Sequence, residues 1–164
     1  LKERLKKFNL ELEESKSRMI EFGKYAEINS KRKYGRKAET FNFLGFTLYC
    51  GKSRHSGEFC VKLKTNSKKF TQKLKQTKEW LYQNNDLPVK DLITRLNKKL
   101  VGHYRYYGVS HNINKLSAFL HYVQRYLFKV LNRRSHKKSY TWDGYIDMLK
   151  VYPLAKPKIY VKLF

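Results

Sequence analysis

The spacing of apolar residues changes character near residue 66, from short β-like runs to helical stripes. Leu1, Leu5 and Phe8 recur at helical spacing with basic residues between them, which predicts the end of a helix. Lys16 to Phe22 predicts a short strand, and the polar, lysine-rich stretch from Tyr25 to Thr40, which contains Gly35, predicts a loop. Phe41 to Tyr49 is rich in aromatic and β-forming residues and predicts a strand interrupted at Gly45. Phe59 to Lys64 alternates and predicts a second strand, with Ser53 to Gly57 as the turn. The first third of the chain therefore reads as a small antiparallel β piece.

From Ser67 the period is helical. Phe70, Leu74 and Leu81, with Trp80 beside them, mark one helix, closed by Asn84-Asn85-Asp86. Pro88 suits the first turn of the next helix, whose stripe is Val89, Ile93, Leu96, Leu100, Tyr104 and Tyr107. Asn112 or Asn114 is placed to cap a third helix with the stripe Leu116, Phe119, Leu120, Val123, Leu127 and Val130. Thr141 is placed to cap a shorter fourth helix carrying Trp142, Tyr145, Ile146 and Leu149. The end of the chain, with Pro153 and Pro157, is expected to be extended. The fold class is α+β: a small antiparallel β piece (1–66), an all-helical bundle (67–152) and an extended tail (153–164).

Charge changes this picture. Lys and Arg number 37 against 13 Asp and Glu, a formal net charge of +24 in 164 residues. Such an excess repels itself and points to a polyanionic partner, with nucleic acid the default. A membrane surface is the competing polyanion. No apolar run approaches the length of a membrane span, no signal peptide is visible, and the cations are spread over the whole chain rather than along one amphipathic helix. No membrane partner is expected. The expected location is the bacterial cytoplasm, with an organelle as the alternative. The chain begins at Leu1 rather than Met, so a fragment or processed product is expected.

Within the bundle, helical rotation puts Arg95, Lys98, Lys99 and Arg105 on a face apart from the apolar stripe, with Gly102 among them. A glycine there removes a side chain where a phosphate backbone would approach. Tyr104 and Tyr107 extend the apolar stripe and belong to the core, whereas Tyr106 points elsewhere and is the candidate for stacking on a base. Arg125, Lys129 and Arg133 follow at intervals of four in the third helix. The run from Asn132 to Ser139 adds Arg134, Lys137 and Lys138, more cations than a helix macrodipole needs, and so suits phosphate contact. The bland alternative for all of them is a solvated charged face.

No catalytic centre is recognisable in the sequence. Cys50, His55 and Cys60 lack a fourth zinc ligand, and two cysteines make no disulfide framework. The histidines are scattered, and Glu11, Glu13 and Glu14 read as a surface patch. There is no phosphate-binding glycine loop, no nucleophile elbow and no pair of aspartates for two metal ions.

Leu10-Glu11-Leu12 with Lys16-Ser17, followed by Phe41-Asn42-Phe43-Leu44-Gly45-Phe46, resembles the end of the palm of a group II intron reverse transcriptase. Ser17 departs mildly from the threonine usual in that element. Leu96-Asn97, Gly102-His103-Tyr104, Tyr106-Tyr107-Gly108, Asn112, Leu131 to Ser135 and Trp142 resemble the maturase-specific domain of the same family, its thumb. The resemblance implies a polymerase palm remnant followed by a helical thumb. It implies a primer grip at Phe43, Leu44 and Gly45, intron RNA and an RNA/DNA template–primer duplex as partners, and upstream reverse transcriptase fingers and palm carrying the catalytic aspartates. It implies Mg2+ for the parent polymerase and the intron ribozyme, and no cofactor for this chain. The implied role is assistance to intron splicing and a grip on template and primer during RNA-directed DNA synthesis for intron mobility. The alternative is a non-enzymatic general RNA-binding or ribosome-associated module.

Overall fold

A computed structural model describes residues 2–13, 15, 17–53, 55–135 and 139–163. The elements in order are α1 (Lys2–Lys6), α2 (Ala26–Tyr34), β1 (Phe41–Phe43), β2 (Phe46–Lys52), β3 (Phe59–Thr65), α3 (Ser67–Gln83), α4 (Val89–Tyr107), α5 (Ile113–Leu131) and α6 (Trp142–Val151). The three strands form one antiparallel sheet in the order β1-β2-β3, and the helical bundle follows, so the α+β class holds. The chain divides into two compact units, residues 1–40 with 49–61 and residues 41–48 with 62–164. Strand β1, the start of β2, the end of β3 and the tail are grouped with the helices, while the rest of β2 and the start of β3 belong to the first unit.

The bundle follows its stripes. Leu81, Leu92, Leu96, Leu116, Val123 and Leu127 have no exposed surface, and Tyr104 and Tyr145 fill the space between them. Burying each such side chain stabilises the fold by roughly 1.5–3 kcal/mol. Helix α5 packs against both α3 and α4, most extensively against α3. Helix α3 starts at Asn66, whose side-chain oxygen accepts from the Lys68 and Lys69 amides. Thr141 caps α6 by accepting from the Gly144 amide at 3.2 Å.

The β1–β2 connection is a two-residue turn, since Phe43 pairs with Phe46. Both central residues have positive φ, Leu44 at 45° and Gly45 at 78°, as a type I′ turn requires. A leucine there costs roughly 1–2 kcal/mol, so neighbouring contacts must hold it. Within the same unit, Tyr106 donates its hydroxyl to the Leu44 carbonyl at 3.0 Å, and the Asn66 amide donates to the Gly45 carbonyl at 2.9 Å.

Two local expectations fail. Tyr25 to Thr40 is not a loop: its first half is α2, and Gly35 is that helix's left-handed C-cap, donating its N–H to the Lys31 carbonyl. The helix hid because it buries only Ala26 and Ser30, leaving no stripe to read. Residues 17–22 form no strand; Met19 is almost wholly exposed, and no neighbouring strand pairs with the segment among the described residues. Lys16 lies outside the described residues. The first third is thus two helices and a sheet rather than a β piece alone.

Asn112 precedes α5 as expected but does not cap it through its side chain. Its amide, fully buried, instead bonds to Thr65 and to the Tyr107 carbonyl. The tail is extended and fastened at two places. Asn97 donates to the Pro153 carbonyl at 2.9 Å and accepts from the Ala155 amide at 2.8 Å. The Tyr160 and Val161 amides donate to the Gly108 carbonyl, beside a parallel bridge between Val109 and Val161.

Candidate nucleic-acid interface

The outer face of α4 brings several of the predicted cations together. Lys98, Gly102 and Arg105 line a shallow groove of about 440 Å³, with Thr94, Asn97 and Val101 completing its floor. A Cβ on Gly102 would meet nothing within 4 Å, so the glycine is not required by packing. Arg95 is exposed one turn away. No acidic side chain pairs with Arg95, Lys98, Lys99 or Arg105 among the described residues; the ion pairs there lie elsewhere, as at Lys75–Glu79 and Lys150–Asp147. A row of unneutralised cations beside an unfilled glycine suits a polyphosphate strand, which gains by releasing its counterions to them.

Lys99 sits at the margin of this face. Its ammonium lies 4.8 Å from the Trp80 ring centre, a cation–π contact, and it lines a cavity of about 100 Å³ with Lys73 and Thr77. Arg125 and Lys129 follow one turn apart on α5. Beyond that helix, Arg133 lies 5.3 Å over the Tyr82 ring. Arg134 is half-buried: its Nε donates to Asn85 Oδ1 at 3.2 Å, and burial pulls its pKa down from the ordinary value. Arg133 and Arg134 therefore gather at the α3–α4 turn rather than in the Lys98–Arg105 groove. Lys137 and Lys138 lie outside the described residues.

Tyr106 is only partly available for stacking. Besides its bond to Leu44, its ring lies parallel to Phe46 at 6.0 Å, so one face is taken. Phe43 and Leu44 are 61% and 66% exposed at the tip that this tyrosine holds, while Gly45 abuts the Tyr107 hydroxyl. A Cβ on Gly45 would stand 3.0 Å from that oxygen, so both its conformation and its neighbour favour glycine.

The interior of the bundle holds one ionisable group of note. His103 is 5% exposed and stacks on Phe119 at 4.0 Å. Burial, then the nearby Lys73 cation, lowers its pKa to about 4, and its Nε2 has no hydrogen-bond partner. It is a packed neutral imidazole rather than a base facing solvent. Among the described residues no group of three or more His, Cys, Asp or Glu is placed to hold a metal, and Cys50 and Cys60 are both thiols.

Sequence reasoning named Asn97 and Asn112 but missed their roles: Asn97 holds the tail, and Asn112 ties the end of β3 to the end of α4. The only signal was a polar side chain beside an apolar stripe or within a turn. It also missed the exposed cations Lys31, Arg32 and Lys33 of α2, because that segment was read as a loop.

Residues 67–145 match the family model described as group II intron, maturase-specific domain. The match runs from the first residue of α3 into α6, slightly under half of the chain, and supports a maturase-specific domain over that segment. It contains the described cations of α4 and α5 and leaves out the Phe43–Gly45 turn. The chain matches no curated protein and no solved structure. No helix among the described residues is long and apolar enough to cross a membrane.

Proposed function

We propose that the helical segment binds group II intron RNA through the phosphates of its folded backbone and so assists splicing. The observation that carries this reading is the unpaired basic face of α4, with its Gly102 groove, lying inside the segment that matches the maturase-specific domain. Lys98 and Arg105 would neutralise adjacent phosphates, Gly102 would let the strand approach the helix backbone, and Arg95, Lys99, Arg125, Lys129 and Arg133 would extend the field. Contacts of this kind read the shape of a folded RNA rather than its bases. Neutralising closely packed phosphates favours the compact state of a ribozyme; the RNA supplies the chemistry.

A second role is favoured by the β1–β2 turn. Phe43 and Leu44 project from a strained turn that Tyr106 fastens to the end of the basic helix. In a protein with upstream fingers and palm, that turn would set the primer end while the helices grip an RNA/DNA template–primer duplex. The polymerase chemistry would then belong to residues outside this chain.

The test is competition between a group II intron RNA, taken from the DNA flanking the coding region, and an unrelated structured RNA of equal length at matched salt. Preference for the intron supports the maturase reading. Equal affinity would favour a general RNA-binding or ribosome-associated module. Competition by an RNA/DNA duplex, weakened by Leu44→Ser, is the outcome expected of the second role.

A further inference from the structure

The α3–α4 turn and the end of α5 enclose an opening of about 410 Å³ lined by Tyr82, Gln83, Asn85, Asp86 and Arg134. Its walls differ from the rest of the basic surface. Two amides, a carboxylate and a guanidinium meet there, and the carboxylate is one of few acids in a chain of net charge +24. The turn is well fixed: the Asn84 side chain donates to the Trp80 carbonyl at 2.9 Å, and the Leu87 amide closes back on the Asn84 carbonyl. Asn85 holds the guanidinium in place through Nε, and a further nitrogen of that group, Nη2, is buried without a partner. Arg134 and Asp86 line the same pocket, and the Asp86 charge favours the guanidinium through space without a direct ion pair between the two. Each therefore keeps hydrogen-bonding capacity for a third group.

Bare phosphate does not suit this pocket, because Asp86 would repel it. A planar ligand with acceptors on one edge and donors on another satisfies both walls at once. Guanine has that pattern: O6 and N7 accept from a guanidinium, while N1–H and the N2 amino group donate to a carboxylate. Adenine lacks the O6 acceptor and carries no proton on N1. The Arg133 guanidinium stacked on Tyr82 adds a flat cationic surface beside the opening, of the kind unpaired bases pack against.

We infer that this pocket receives an unpaired guanine of a structured RNA, with Arg134 and Asp86 reading its two edges. The inference rests on the RNA-binding reading above and adds to it a base-specific contact outside the phosphate-binding face. A guanine exposed in a bulge or loop is the intended source, and a free guanine nucleotide shares the same chemistry.

The full chain is titrated with two RNA hairpins that differ only in a single bulged guanine or adenine, and separately with 5′-GMP, 5′-AMP and inorganic phosphate. Side-chain amide NMR signals of Gln83 and Asn85 report occupancy. The guanine hairpin should bind roughly tenfold or more tightly than the adenine one, GMP alone among the small probes should shift the two amides, and Asp86→Asn should abolish the preference. Asp86 is outside the buried core, so the substitution leaves the packing untouched. Equal hairpin affinity overturns the inference but leaves phosphate-mediated RNA binding intact. An equal response to inorganic phosphate also overturns it, since an anion subsite would explain that. GMP binding that the bulged-guanine hairpin does not displace overturns the assignment to RNA. Failure of both hairpins to bind at low salt removes the RNA-binding reading itself.

Discussion

Asn112→Ala should remove a large part of the bundle's stability margin through one side chain. Asn112 has no exposed surface, and its amide makes three bonds: Oδ1 accepts from the Thr65 N–H at 2.9 Å, and Nδ2 donates to Thr65 Oγ1 at 2.9 Å and to the Tyr107 carbonyl at 2.8 Å. Thr65 is itself 1% exposed, so water does not replace the missing acceptor without opening the structure. An orphaned buried N–H costs about 1–3 kcal/mol, and each of the two absent donor bonds adds about 0.5–1.5 kcal/mol. The expected loss is therefore about 2–6 kcal/mol, against a total stability of roughly 5–15 kcal/mol for an ordinary domain. Urea unfolding followed by tryptophan fluorescence measures it directly, because Trp80 and Trp142 both lie in the helical unit. Thr65→Val leaves the other two bonds in place but orphans one buried Nδ2–H of Asn112, and should cost about 1–3 kcal/mol. A loss under about 1 kcal/mol for Asn112→Ala, with an unchanged denaturant slope, would refute the claim that this amide carries the junction.

Gly102→Ala separates packing from function: with open space around the new Cβ, the helix should gain roughly 0.5–1 kcal/mol while RNA affinity falls. Unchanged or tighter RNA binding would remove Gly102 from the proposed groove. Gly108→Ala should cost at least about 2 kcal/mol and loosen residues 158–161, because its Cβ would stand 2.3 Å from the Tyr104 carbonyl and 2.6 Å from that of Lys158; amide hydrogen exchange in the tail reads this. His103 titrates at about 4 when folded, below its ordinary 6.5, so the unfolded chain binds more protons between those values. Stability should fall by about 3 kcal/mol as pH drops through that window and be unaffected by this group above it. His103→Leu should flatten that slope in pH-dependent urea melts, and an unchanged slope would place the titration elsewhere.

The helical half was readable because its stripes are long and regular. Leu96, Leu100 and Tyr104 repeat at helical spacing, and all three are buried. The β1–β2 hairpin was only half legible: its aromatic run reads as one strand interrupted at Gly45, and the reversal at Leu44–Gly45 is visible only in the fold. Helix α2 was not, since a helix that buries two small residues carries no amphipathic signal and is held by its contacts and its Gly35 cap. Side-chain direction was the other limit. The interval of four placed Tyr106 off the stripe, but a bond to Leu44, sixty-two residues away, is invisible in a helical wheel. The same holds for Arg134, whose partner Asn85 comes from a different helix end. Charge density marked the α4 face and the run after α5 as separate candidates; only the fold sets Arg133 and Arg134 against Tyr82 and Asn85.

The central claim is that the outer face of α4 binds intron RNA through phosphates. The most direct measurement is the salt dependence of affinity for a group II intron RNA, comparing the unmodified chain with Lys98→Ala/Arg105→Ala. Both side chains are exposed, so the variant should fold normally. Without those two cations to neutralise phosphates, affinity should fall and the log–log slope should flatten by about 1.4–1.8 units. An intact fold with unchanged slope and affinity would contradict the claim.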